Sequence, residues 1–251
     1  MDVQRYLERI DYRGAVAADL DTLGKLQQAH MRTVPFENLS IHYRQPIVLE
    51  HDALYRKIVE RRRGGFCYEL NTLFAWLLRE IGFRVTLLSA GVATADGGFG
   101  PEFDHLALRV DLDHAYLVDV GFGDSFQQPL RLDGGEQRQG AASYRIDAED
   151  GTHFLKKGDA RGADAALQAQ YRFTLQPRAL GDFEEMCRHH QTSPASHFTQ
   201  KRICSRATAD GRISLSDLRL IITRGGEREE SMLGSEEEFR QALKNHFAID
   251  L

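Results

Sequence analysis

Cys67 stands in a setting that can turn a side chain into a nucleophile. It follows Gly64-Gly65-Phe66 and opens a stretch, 67 to 81, in which Leu70, Leu73, Phe74, Leu77 and Leu78 recur at helical spacing. A cysteine in the first turn of a helix sits among unpaired backbone N–H groups at the positive end of the helix dipole. Both favour the thiolate, the reactive form, and the same N–H groups can hold an oxyanion. Gly64 and Gly65 allow unusual backbone conformations and a close approach by another molecule. Taken alone, a free cysteine is as readily a small buried hydrophobe.

A thiol nucleophile needs a base within hydrogen-bond reach and a third group that orients the base. His105 opens the apolar pattern HLALRV, and Asp119 ends the next one, YLVDV, with Asp111-Leu112-Asp113 as the tight connection between them. Folded as a hairpin, 105 to 119 brings His105 and Asp119 together at its open end. There Asp119 can accept the imidazole N–H and set its tautomer. His114 is the rival base, but it lies at the hairpin tip, far from Asp119. The plain alternative for His105 is an unremarkable histidine on a strand edge. Val120-Gly121-Phe122-Gly123 follows at once, and a glycine-flanked turn can present its N–H groups to an anion. Cys187, His189, His190 and His197 also fall close together. Their Cys-x-His-His run has no partner cluster at zinc-site spacing, so no metal is expected.

The elements that must carry these residues are legible from periodicity. Helical spacing runs through Val3, Tyr6, Leu7 and Ile10, and again through Leu23, Leu26, Ala29 and His30, with Asp21 or Thr22 as the cap and Pro35 as the stop. A third helix spans about 51 to 62 through Leu54, Ile58 and Val59. From about 84 the pattern becomes short, aliphatic and β-branched: RVTLLSAGV, HLALRVDL and AYLVDV, then a β region through GEQRQGAASYRIDAEDGTHFLKK and YRFTLQPRAL. The tail from about 182 reads as a polar loop, a strand-like RISLSDLRLIITR and a helix from Ser235 to Asn245, capped through Glu236-Glu237-Glu238. Helices, then strands, then a small mixed unit make an α+β chain.

Composition bounds the partners. The 251 residues, 42% hydrophobic and 27% charged, suit an ordinary globular protein with a real core. A net charge of -5 argues against a nucleic-acid binder, and the lone basic run Arg61-Arg62-Arg63 reads as a solvated helix end. Three cysteines without regular spacing make no disulfide framework. The first residues lack the apolar core of a secretory signal, and no run approaches the roughly 18 apolar residues of a membrane span. A reducing cytosol is the expected compartment.

Taken in order, these motifs resemble the arylamine N-acetyltransferases. The likeness runs nearly end to end, through YLERIDY, LQQAHMRTVPFENLSIHY, RRRGGFCYELN, FDHLALRV, YLVDVGFG, TSPASHF and SEEEFRQALKNHFAIDL. The resemblance implies acetyl-CoA as co-substrate, no metal, an arylamine or hydrazine acceptor, and a ping-pong cycle through an acetyl-cysteine. It implies Cys67, His105 and Asp119 as catalytic residues. It also implies a helical bundle over 1–83, an antiparallel β-barrel-like domain over 84–187 and an α/β lid over 188–251, around a cysteine-proteinase-like core. Glu37 and Arg63 match positions that form a structural salt bridge near the nucleophile. Gly121, Phe122 and Gly123 match the place of the coenzyme pyrophosphate, and Phe122 and Phe198 match aromatics lining the acceptor pocket. The chain is shorter than many members, in the middle and lid segments that supply acceptor contacts. Three alternatives stand beside this reading. Amide synthases of natural-product assembly share the fold and triad but close a macrolactam, and a papain-like hydrolase releases its acyl group to water. The third is a catalytically silent binding module, against which the intact Cys-His-Asp set argues.

Overall fold

The computed structural model describes residues 1–160 and 167–251. The N-terminal helices are α1 (Val3–Arg9) and α2 (Leu20–Thr33), followed by the short strand β1 (Phe36–Glu37), α3 (Leu39–His42) and α4 (His51–Tyr55), which continues as a π-helical turn over Arg56–Glu60. The cap of α2 is Asp19, not Asp21 or Thr22: its extended backbone lets the carboxylate accept from Thr22 N at 2.8 Å. That places Asp21 and Thr22 inside the first turn. Next comes α5 (Cys67–Ile81), which ends at Gly82 in the left-handed conformation, φ 109°. Its Leu70, Leu73, Phe74, Leu77 and Leu78 are fully buried. They lie at the centre of the main core, together with Tyr6, Leu23, Leu26 and Ile58.

The described residues of the middle of the chain form eight strands: β2 (Arg84–Val92), β3 (His105–Asp111), β4 (Ala115–Val118), β5 (Leu130–Arg131), β6 (Gln137–Gln139), β7 (Ala142–Glu149), β8 (Thr152–Asp159) and β9 (Gln168–Thr174). Their order is β5-β4-β3-β2-β9-β8-β7-β6, antiparallel throughout. The two edges, β5 and β6, are joined by side-chain amides. Gln137 Oε1 accepts from Arg131 N at 2.9 Å while its Nε2 donates to Arg131 O at 3.0 Å, and Gln139 pairs likewise with the Gln128 backbone. Two glutamines thus imitate the missing ladder and curl the sheet into a barrel. Along β3 the pleat divides the faces. Leu106, Leu108 and Val110 pack on the helical core, while Ala107 turns into the barrel interior with Leu117, Phe126, Tyr171 and Phe173.

After a 3₁₀ turn at Leu180–Phe183 come α6 (Glu184–Thr192), α7 (His197–Gln200), β10 (Ile203–Ala207), β11 (Gly211–Ser216), β12 (Arg219–Arg224), β13 (Glu227–Met232) and α8 (Glu236–Phe247). The expected polar loop after 182 is therefore helical, and α6 runs through position 187. Its periodicity is hidden because the helix itself buries only Cys187 and the polar His190, with Phe183 contributed by the turn before it. RISLSDLRLIITR is two strands, not one. Asp217 turns the chain at φ 49°, a conformation its short side chain tolerates, and β11 pairs with β12 from Ser216–Arg219 outward. The second sheet runs β1-β10-β11-β12-β13, so the lid borrows a strand from the N-terminal part.

Candidate active site

Cys67 begins α5, and the turn before it is shaped by crowding. A Cβ at Gly64 would collide with the Pro35 carbonyl oxygen and stand 2.9 Å from Glu37 Cγ; one at Gly65 would lie 2.8 Å from Glu69 Cβ and Oε2. Neither glycine has positive φ. They are needed for space: the chain at Pro35–Glu37 approaches Gly64, and the Glu69 side chain approaches Gly65, whose carbonyl accepts from Glu37 N at 2.9 Å.

Beneath this turn lies a buried charge cluster. Arg63 Nη2 and Nε meet Glu37 Oε1 at 2.9 and 3.2 Å, and Glu37 Oε2 accepts from Leu39 N at 2.7 Å. Lys57, from the π-helical turn, donates to Glu69 Oε1 at 2.7 Å, and Glu69 Oε2 accepts the Phe66 N–H at the head of α5. Burial penalises the Glu37 charge, but Lys57 and Arg63 outweigh it and hold the carboxyl below its ordinary range. Glu69 goes the other way: burial raises it despite Lys57, with Glu37 adding to the rise.

The β3–β4 ladder closes with Leu108 opposite Val118, and Asp119 leaves the strand toward the start of β3. His105 Nε2 lies 2.7 Å from Asp119 Oδ2. That leaves Nδ1 as the ring nitrogen free to take the Cys67 proton. Burial opposes charge on this ring, yet the Asp119 carboxylate and the Cys67 side chain prevail and hold His105 up to about 10. Asp119 is fully buried and accepts four hydrogen bonds. Besides His105, they come from Tyr171 OH (3.2 Å), Asn71 Nδ2 (2.9 Å) and Gly121 N (2.9 Å). Asn71 lies one turn after Cys67 on α5; it also donates to Leu106 O at 2.7 Å and accepts from Val120 N at 2.9 Å. It thereby ties α5 to the start of β3 and to the Asp119 carboxylate.

The turn after Asp119 presses on Cys67. A Cβ at Gly121 would come 2.7 Å from Cys67 Cα and 2.9 Å from Asn71 Nδ2. The Phe122 ring meets His105 edge-on at 5.2 Å and Tyr171 at 4.9 Å. Gly123 has φ 85°, and its carbonyl accepts from Arg212 of β11. The Gly121 N–H is spent on Asp119 and the Val120 N–H on Asn71; within this turn, no hydrogen bond among the described residues takes the N–H groups of Phe122, Gly123 and Asp124. Phe198 reaches the site from the lid, with its ring 5.6 Å from Phe66, the residue before Cys67. His114 stays at the hairpin tip, 3.6 Å from Asp133. Among the described residues no group of three or more His, Cys, Asp and Glu could hold a metal. His190 instead faces Asp104 and Ser196.

A cysteine at a helix head, a buried imidazole and a carboxylate behind it can form and break a thioester. The N-acetyltransferase family model matches residues 19–251. The arylamine N-acetyltransferase pineal gland isozyme NAT-3 of Gallus gallus is 38% identical over all of this chain and 95% of its own length. The chain belongs to the arylamine N-acetyltransferase family. Arylamine N-acetyltransferase 1 of Homo sapiens is likewise 38% identical, with the same coverage. The Mycobacterium marinum arylamine N-acetyltransferase in complex with CoA superposes with a TM-score of 0.90 at 34% identity, covering 99% of this chain and 93% of that one. Membership decides for acetyl transfer over the hydrolytic and silent readings. No helix among the described residues is long and apolar enough to cross a membrane.

Asn71, Tyr171, Lys57 and Glu69 were not singled out from the sequence. Asn71 carried a signal, since it follows Cys67 by one helical turn and so shares its face. Tyr171 carried none.

The three thiols are all buried, so their chemistry differs through charge. Burial pushes Cys187 and Cys204 well above the ordinary thiol range, whereas Cys67 adjoins an imidazolium. Limiting iodoacetamide on the folded protein is expected to label Cys67 at least about ten times faster than the other two. Peptide mapping checks this, and equal labelling of all three would mean that Cys67 is not activated.

Proposed function

We propose that this acetyltransferase moves acetyl from acetyl-CoA to an arylamine or arylhydrazine through Cys67, with His105 as base and Asp119 as its orienting carboxylate. The observation that carries the reading is the buried line from the head of α5 through His105 to an Asp119 that accepts four hydrogen bonds. The Cys67 thiolate attacks the thioester carbonyl, and the first N–H groups of α5 face the developing oxyanion. CoA leaves as its thiol with the proton from His105. The acceptor amine then attacks the acetyl-cysteine, His105 takes the amine proton, and the amide departs while Cys67 is restored. The coenzyme pyrophosphate is assigned to the open N–H groups of Phe122 and Gly123, since that of Gly121 serves Asp119. Phe122 and Phe198 flank the acceptor. Residues 1–83 bring the nucleophile, 84–187 the base and carboxylate, and 188–251 the cover. Three free thiols suit a reducing, cytosolic compartment.

Incubation with acetyl-CoA and no acceptor is expected to add a single acetyl group, which peptide mass spectrometry places on Cys67. An acetyl group on Cys187, Cys204 or a lysine instead would sink the assignment. Addition of an arylamine should discharge it as the N-acetyl product.

A further inference from the structure

Asp104, the residue before His105, belongs to a second carboxylate–imidazole pair. Its Oδ1 lies 3.1 Å from His190 Nε2, and His190 Nδ1 lies 3.0 Å from Ser196 Oγ. Ser196 Oγ accepts the Phe198 N–H at 3.3 Å. This arrangement lets Nε2–H donate to Asp104 while Nδ1 accepts from the Ser196 hydroxyl. His190 comes from α6 and Ser196 caps α7, so both partners of Asp104 in this relay belong to the lid. The order Asp-His-Ser resembles a hydrolase triad, but Ser196 is 4% exposed and its oxygen is occupied as a helix cap. It is not a nucleophile.

The other bonds of this segment show what the relay holds. Asp104 Oδ2 accepts from Val92 N of β2 at 3.1 Å. The Tyr68 hydroxyl, from the residue after Cys67, donates to Phe103 O at 2.6 Å and to Asp104 O at 3.1 Å. Phe103 N donates to Ser89 Oγ at 2.7 Å, and Phe103 itself is held at φ 65°, a left-handed conformation that a bulky residue avoids unless its surroundings impose it. A Cβ at Gly100 would collide with the Asp104 carboxylate. Three elements, α5, β2 and α6, therefore grip the two residues that lead into the base.

We infer that Asp104 and His190 are positioning residues for His105: the lid helix holds the Asp104 carboxylate through His190, and that carboxylate fixes the base and supports its imidazolium charge. The inference rests on His105 being the base of the proposed cycle. The groups facing His105 are Cys67 from α5 and Asp119 from the turn after β4, with Tyr171 of β9 behind Asp119. Those facing Asp104 are Tyr68 from α5, His190 from α6 and His197 from α7, together with His105 itself. Asp119 thus holds the ring itself, while Asp104, next to His105 in the chain, is held by the lid helix.

The test follows single-turnover acetylation of Cys67 by acetyl-CoA, read by intact mass, from about pH 6 to 11. Its alkaline limb reports loss of the His105 imidazolium. In Asp104→Asn the limb should move down by about half a pH unit, because an anion beside the cation is gone. His190→Leu should slow the step about ten-fold, and His190→Gln, whose amide can still donate to Asp104, should remain within about two-fold of the parent. A merely structural pair would lower the melting temperature and leave the limb in place. An unshifted limb in folded Asp104→Asn overturns the inference, and so do equal rates for His190→Gln and His190→Leu. If Asp104→Asn does not fold, the His190 pair still decides. A parent enzyme acetylated elsewhere than Cys67 overturns the catalytic reading instead, so the two failures are distinguishable.

Discussion

Asp119→Asn is expected to lower the rate of acetyl transfer by at least about 10²-fold while the protein stays folded. Four donors converge on the Asp119 carboxylate: His105 Nε2 and Tyr171 OH on one oxygen, Asn71 Nδ2 and Gly121 N on the other. An asparagine supplies one oxygen and one NH₂. Whichever way the amide turns, its NH₂ faces two donors. With the NH₂ toward His105, the ring loses the acceptor that fixes its tautomer. With it toward Asn71, the link from α5 to the base opens. The charge that supports the imidazolium is lost either way. In serine proteases the corresponding change costs about 10⁴ in kcat. A thiol ionises more readily than a hydroxyl, so the loss here should be smaller. Asp111→Asn and Asp113→Asn, at the far turn of the same hairpin, should stay within a few-fold of the parent. Rates are compared after each variant's melting curve shows it folded. A folded Asp119→Asn as active as those two controls would remove Asp119 from the triad.

Gly64→Ala should cost stability on a scale that few single methyl groups reach. The added carbon would meet the Pro35 carbonyl oxygen head-on and crowd Glu37 Cγ at 2.9 Å. Neither can step aside cheaply. Pro35 is backbone at the edge of β1, and Glu37 is fully buried and bound to Arg63 and Leu39 N. Overpacking against backbone costs about 3 kcal/mol. For a chain of this size that is a fall of roughly 6–12 °C in melting temperature. Gly181→Ala is the control, since its added methyl meets nothing within 4 Å and the backbone there has no positive φ. A Gly64→Ala protein that melts within a degree of the parent would mean that β1 yields and that space is not why a glycine stands there.

Local signals served the sequence reading best where the contacts themselves are local. The helix over 67 to 81 is written in its own apolar spacing and in the glycines around it, so its limits could be read directly. The hairpin that carries His105 toward Asp119 needs only two alternating segments and a tight turn. Where elements were misread, the buried face was short or polar. α6 buries Cys187 and His190, and with so few apolar residues the segment read as a polar loop rather than a helix. The cap of α2 was missed because three acidic or hydroxyl residues, Asp19, Asp21 and Thr22, compete within four positions, and only backbone geometry chooses among them.

By itself, the sequence determined the class of the chain, the order of its elements, and which cysteine opens a helix beside a histidine-bearing hairpin. Each of these follows from residues near one another along the chain, where side-chain period and turn chemistry act directly. Tertiary structure alone decided the surroundings of those groups. Tyr171 reaches Asp119 across 52 positions, Asn38 joins the lid through Phe198 O across 160, and His190 meets Asp104 across 86. It also decided that Gly64, Gly65 and Gly121 are glycines for want of room rather than for backbone freedom. Such facts have no local signature, because a buried hydrogen bond or a forbidden Cβ is defined by whatever segment the fold packs against it.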